Sequence, residues 1–113
     1  MLGKQYRLKK NKEFNYIYKK GKTVSNKILS VVYVKTKLKN IKVGFSISNK
    51  VGNSVVRHKI KRQLSHLFKE FINRVNQDNN YIFVARQGIE NLSYDNMRDQ
   101  MYKVLLKAEL LNE

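Results

Sequence analysis

Apolar residues recur at two distinct periods along this chain. Val56, Ile60, Leu64, Leu67, Phe71 and Val75 return every three or four positions, which predicts one long amphipathic helix. Asn53, following Gly52, is placed to cap its start. Ile41, Val43, Phe45 and Ile47 instead alternate with Lys42, Gly44, Ser46 and Ser48, the period of a half-buried strand. The β-branched stretch KILSVVYVK ahead of it predicts another strand, and the Lys-rich TKLKN between them reads as a hairpin loop joining an antiparallel pair. Phe14, Ile17 and Tyr18 mark a short first helix, with Lys19, Lys20 and Gly21 suited to its C-terminus. NYIFVAR is apolar enough for a buried strand, and Ser93 can cap a closing helix that carries Met97, Met101, Val104, Leu105 and Ala108. The predicted order is α-β-β-α-β-α, an α+β domain whose sheet is packed by helices.

With 113 residues, 42% of them apolar, the chain suits a single domain spanning residues 1–113 and one modest core. No Pro, repeat or Gly/Ser-rich linker divides it. Charge changes the picture most. Lys and Arg number 24 against 8 Asp and Glu, giving +16, a self-repulsion that a polyanionic partner would offset. Residues 1–50 hold fourteen of these cations against Glu13 alone, a net +13, while residues 51–113 carry only +3. The absence of cysteine removes disulfides, thiolate nucleophiles and Cys-type metal sites. No apolar run suggests a membrane span or a signal peptide, so a cytoplasmic location without membrane contact is expected.

The stretch KVGNSVVRHKIKRQL sets five Lys or Arg within fifteen residues and no acid. Its cations fall off the apolar stripe and include Arg57 and Arg62, whose planar forks suit phosphate oxygens. On the first helix Phe14, Tyr16 and Tyr18 interleave with Lys12, Lys19 and Lys20, as in proteins that stack single-stranded bases on rings. Phe14 and Tyr18 share a face and are either the core side or a stacking platform; Tyr33 carries the same ambiguity. Catalytic constellations are sparse. His58 and His66 have no carboxylate placed to orient them, and Asp95 and Asp99 suit a helix N-terminus without a metal.

SNKVGNSVVRHKIKRQL resembles the signature of the bacterial ribonuclease P protein family, in which a Gly-Asn turn and Val precede an Arg-Asn-Arg-like triplet and a Lys-Arg pair. YRLKKNKEFNYIYKKGKTVSNK, KVGFSISNK and YIFVARQG are similar to its N-terminal segment, second strand and third strand in order, so the resemblance covers residues 6 to 106. It implies an α-β-β-β-α-β-α fold, with one short extra strand and a left-handed β-α-β crossover around the long helix. It also implies a function: a catalytic RNA removes the 5′ leader of precursor tRNA, and the protein binds that RNA and the leader. By resemblance, Lys50, Gly52, Asn53, Arg57, His58, Lys59, Lys61 and Arg62 face the ribonuclease P RNA, and Phe14, Tyr18, Lys20 and Val32 belong to the leader cleft. Mg²⁺ would be held by the RNA, with no site for it identified on the protein. His58 stands where Asn is usual, Lys59 where Arg is frequent, and Val32 where an aromatic is frequent, which turns Tyr33 to the opposite face. The competing readings are a ribosomal or structural RNA-binding protein without a role in cleavage, and an autonomous metal-dependent nuclease.

Overall fold

The computed structural model of the protein describes residues 2–37 and 40–112. Three helices, α1 (Asn11–Lys20), α2 (Ser54–Phe71) and α3 (Tyr94–Lys107), enclose a sheet of four strands. The strands are β1 (Lys22–Ser25), β2 (Leu29–Lys35), β3 (Val43–Ile47) and β4 (Asn79–Ala85). Their spatial order is β1-β2-β4-β3, with β2 antiparallel and β3 parallel to β4. The short extra strand implied by the family resemblance is β1, which forms a hairpin with β2.

β2 and β3 run in opposite directions, as expected, but they do not pair: β4 lies between them. The expected hairpin through TKLKN is therefore absent, and Leu38 and Lys39 of that loop lie outside the described residues. Composition explains the outcome. Tyr81, Ile82, Phe83 and Ala85 are completely buried, so β4 needs apolar cover on both faces and takes a central place. The alternating β3 is content at an edge.

Each face of the sheet has its own core. Leu29, Val31, Val43, Phe45, Tyr81 and Phe83 pack beneath α2 and α3. Val32 and Ile82 pack beneath α1, whose buried anchor is Ile17. Phe68, absent from the periodic set of α2, is fully buried and tilts its ring against Tyr81 and Phe83, at centroid distances of 5.8 and 5.4 Å. Tyr33 belongs to the α2/α3 side, half-buried against that core. Burial pushes the Tyr81 hydroxyl up to about 12, and it donates to the Asn76 carbonyl at 2.5 Å. Asn53 and Ser93 cap α2 and α3, accepting from Val56 N (3.0 Å) and Asn96 N (3.1 Å). Gly21 ends α1 in an extended conformation (φ −82°), not the left-handed one typical of a C-terminal glycine. Glycine is nonetheless required by close approach: a Cβ there would lie 2.5 Å from the Ile17 carbonyl oxygen and 2.7 Å from that of Tyr33.

Candidate nucleic-acid interface

The turn before α2 is built from hydrogen bonds. Ser48 Oγ accepts from Lys50 N (3.3 Å), and the Arg57 guanidinium donates to the Gly52 carbonyl (3.2 Å) and to Asn49 Oδ1 (2.8 Å). Arg57 thus ties the turn to the helix as well as offering charge. Beyond it, His58, Lys61, Arg62 and Ser65 recur at helical spacing and line one side of a groove of about 490 Å³. A shallower depression continues the groove past Ser54 and Arg57. Lys59 faces elsewhere, beside Gln63 and Glu90. Lys50 and Asn53 are exposed on the turn.

Phe14 closes the opposite side of the groove. Its ring lies over Gly44, where a Cβ would collide with Phe14 Cζ, so the glycine lets the aromatic rest directly on β3. Phe14 is half-buried, and Tyr18, one turn further along the same flank of α1, is 45% exposed. Sequence left these two between core and platform; Ile17 takes the core position between them. Lys20 is exposed but lies about 200° around the helix from Tyr18, so the two do not converge. Val32 is only 3% exposed, sealed beneath α1 with Ile17 and Ile82. It supports the floor of the cleft and presents no surface to a ligand.

Between these walls runs the edge of β3. Lys42 and Ser48 bond toward β4, through Tyr81 N to Lys42 O (2.9 Å) and Ser48 N to Ala85 O (3.0 Å), so Val43, Phe45 and Ile47 turn their peptide groups outward. Leu8 N takes the Val43 carbonyl (3.0 Å); Phe45 leaves an open N–H and C=O facing the groove. An open edge flanked by cations and an aromatic offers phosphate, ribose and base partners together.

Several residues escaped the sequence-derived set, among them Lys4, Lys9 and Ser65, which line the groove, and the arginines Arg7 and Arg86. Arg7 lines the groove, and only the folding of the N-terminal segment against β3 places it there. Arg86 donates to the buried Ser30 hydroxyl, which in turn donates to Ser25 Oγ (3.0 Å). Register sets Ser25, Ser30, Val84 and Ser46 in one row across the α1 face of the sheet, so Arg86 stands over that hydroxyl-rich floor. The signal was present in YIFVARQG, whose Arg follows the strand. Among the described residues, no group of three or more His, Asp or Glu side chains could hold a metal ion, and no helix is long and apolar enough to cross a membrane.

Fold and groove together define a small basic α+β domain with a cation-lined groove along one sheet edge. The ribonuclease P family model matches residues 2–109. The ribonuclease P protein component of Streptococcus agalactiae is 36% identical over 108 residues, covering 96% of this chain and 98% of that one. The structure of the Staphylococcus aureus RNase P protein superposes with a TM-score of 0.88 at 34% identity, over 96% of this chain and 100% of that one. The fold is shared with the RNase P protein of Thermotoga maritima, with a TM-score of 0.80 at 20% identity over 88% and 94% of the two chains. The chain belongs to the ribonuclease P protein family and is a protein subunit of that ribonucleoprotein.

Proposed function

We propose that this subunit binds the catalytic RNA through Lys61, Arg62, His58 and the Lys50–Asn53 turn, and holds the single-stranded 5′ leader of precursor tRNA against Phe14 and Tyr18. The observation that carries this reading is the groove in which Phe14 and the cations of α2 face each other across the open edge of β3. Two RNA molecules repel each other, and a cationic domain between them lowers that cost. The leader then gains stacking contacts that mature tRNA lacks, which favours substrate over product.

The chain contributes binding and orientation; cleavage to a 5′-phosphate end is work for the RNA. Mg²⁺ carried by that RNA would supply the activation of water and the stabilisation of the leaving oxygen. Such a role places the protein in the cytoplasm with its RNA partners. The deciding experiment is reconstitution with the cognate RNA subunit at low Mg²⁺, scored as cleavage of precursor tRNA. Cleavage by the two together and by neither alone under those conditions is expected. Mg²⁺-dependent cleavage by the protein alone would replace the reading with an autonomous nuclease, and no effect on cleavage would return it to a structural RNA-binding protein.

A further inference from the structure

A second depression, about 510 Å³, lies on the other side of the N-terminal segment from the groove of α2. Its cations are Lys4, Arg7, Lys9, Lys10, Lys12 and Lys42. The segment that supplies most of them is pinned at both ends. Leu2 is 3% exposed in the core under α2 and α3, and Leu8 is 8% exposed in the core under α1. It therefore crosses the edge of the sheet from one face to the other, with Arg7 bridged to Val43 on the way. Anchored so, it presents Lys4 and Lys9 outward, and the cost of ordering these cations is largely met before any ligand arrives.

We propose that this basin is a second phosphate-binding site for RNA, distinct from the aromatic cleft. Its one acid, Glu13, is already committed: Oε1 accepts from Lys10 N (3.3 Å) and Oε2 pairs with Lys42 Nζ (3.6 Å). Arg7 Nε is buried and has no hydrogen-bond partner among the described residues, an unmet donor where basin and groove adjoin. Six cations around one depression exceed what a single phosphate ion neutralises, so the ligand is a chain of phosphates. The lining holds no apolar or aromatic side chain, which disfavours a lipid surface and base stacking alike. The basin thus takes backbone phosphodiesters without regard to sequence. Because Lys4, Arg7 and Lys9 line both depressions, one strand can pass from the groove of α2 into the basin.

This inference deepens the RNA-binding reading and rests on it. The test replaces Lys10, Lys12 and Lys42, which line the basin and not the groove, by Ala together, and by Arg together as a charge-keeping control. Affinity is measured against salt for the catalytic RNA alone, and for precursor and mature tRNA with the holoenzyme. The Ala variant should flatten the slope of log K on log salt by about two units, at roughly 0.7–0.9 per lost phosphate contact, and the Arg variant should restore it. A change in the catalytic RNA arm assigns the basin to that RNA; a change confined to precursor tRNA assigns it to the leader. An unchanged slope in every arm, while the wild-type protein binds and supports cleavage, overturns the inference. A wild-type protein that neither binds these RNAs nor affects cleavage would instead overturn the reading beneath it. Should the Ala variant melt early, the three single Lys→Gln variants carry the same measurement, each expected to lose a fraction of the slope, and no loss in any of them is decisive against the site.

Discussion

Phe14 and Tyr18 separate packing from stacking because their burial differs. Tyr18 is 45% exposed, so Tyr18→Ala should leave the melting temperature nearly unchanged, within roughly 0.5 kcal/mol. It should still cost on the order of 1–3 kcal/mol in binding precursor tRNA, and almost nothing for mature tRNA. Phe14→Ala should show the same difference between tRNAs together with a stability loss, because the ring also covers Gly44. Equal losses for both tRNAs would assign the pair to packing alone. Gly44→Ala supplies the reciprocal test: its methyl group would displace the Phe14 ring, costing about 1–3 kcal/mol of stability as an overpacked site and weakening leader binding. A fully stable Gly44→Ala variant with normal leader affinity would show that the ring position is immaterial. Glu13 sets the acid response of the same helix. Burial raises its pKa, but the backbone N–H groups of Lys10 and Lys9 and the Lys42 ammonium outweigh that and hold it below 4.5. A lowered carboxylate contributes stability above its unfolded value and loses it as pH falls through the folded one. Acidification into that range should therefore lower the protection factors of amides in the first turn of α1, measured relative to the intrinsic exchange rate at each pH, and Glu13→Gln should remove this pH dependence. Protection factors that are flat with pH in the native chain would mean that Glu13 caps nothing.

At the scale of elements, α2 divides its labour by face, and mutations on the two faces should have opposite signatures. Ile60 is 3% exposed in the core, so Ile60→Asp buries an unpaired charge and should cost more than about 4 kcal/mol, most of the stability of a domain at the low end of the usual range. Lys61 and Arg62 are exposed. Their joint replacement by Ala should leave melting unchanged while flattening the salt dependence of RNA binding by up to about one unit per lost contact; an intact slope would remove the groove from the RNA interface. This division was legible from sequence because a helix fixes which residues share a face once its period is known. The sheet was less legible. Alternation in β3 identified its buried side, yet a strand pattern carries no record of its neighbours, and β4 displaced the expected hairpin by having two apolar faces to cover. The cationic wall of the groove could be read from α2, whereas its partnership with Phe14 could not. That meeting depends on an N-terminal segment whose two buried apolar anchors, Leu2 and Leu8, stand six residues apart, too sparse a pattern to announce its path.

The molecule as a whole is electrostatically lopsided in space as well as in sequence. On α3 and the end of α2, acids and cations are paired: Arg98 with Glu70 at 2.9 Å and Asp95 at 2.5 Å, and Lys103 with Asp99 at 3.0 Å. These surface pairs contribute little stability individually, but they keep that side near neutrality. The N-terminal segment, α1 and the start of α2 crowd cations together, with Glu13 the one acid of residues 1–50. Six of the cations of residues 1–50 line a single depression, and a screening length of about 10 Å at 0.1 M salt leaves such crowded charges only partly screened. Self-repulsion must therefore weaken the free domain, and adding salt should raise its melting temperature. Bound to RNA, the sign reverses. At a free RNA concentration of about a hundred times Kd, binding adds about 2.7 kcal/mol, roughly 10 °C for a domain of this size. Salt erodes that gain by weakening the complex. Melting curves of the protein alone and with its catalytic RNA should thus converge as salt rises, one climbing and the other falling. If the free protein instead melts earlier in salt, the paired charges of α3 outweigh the repulsion on the opposite face, and the surplus of +16 no longer implies a polyanion as the missing half of its stability.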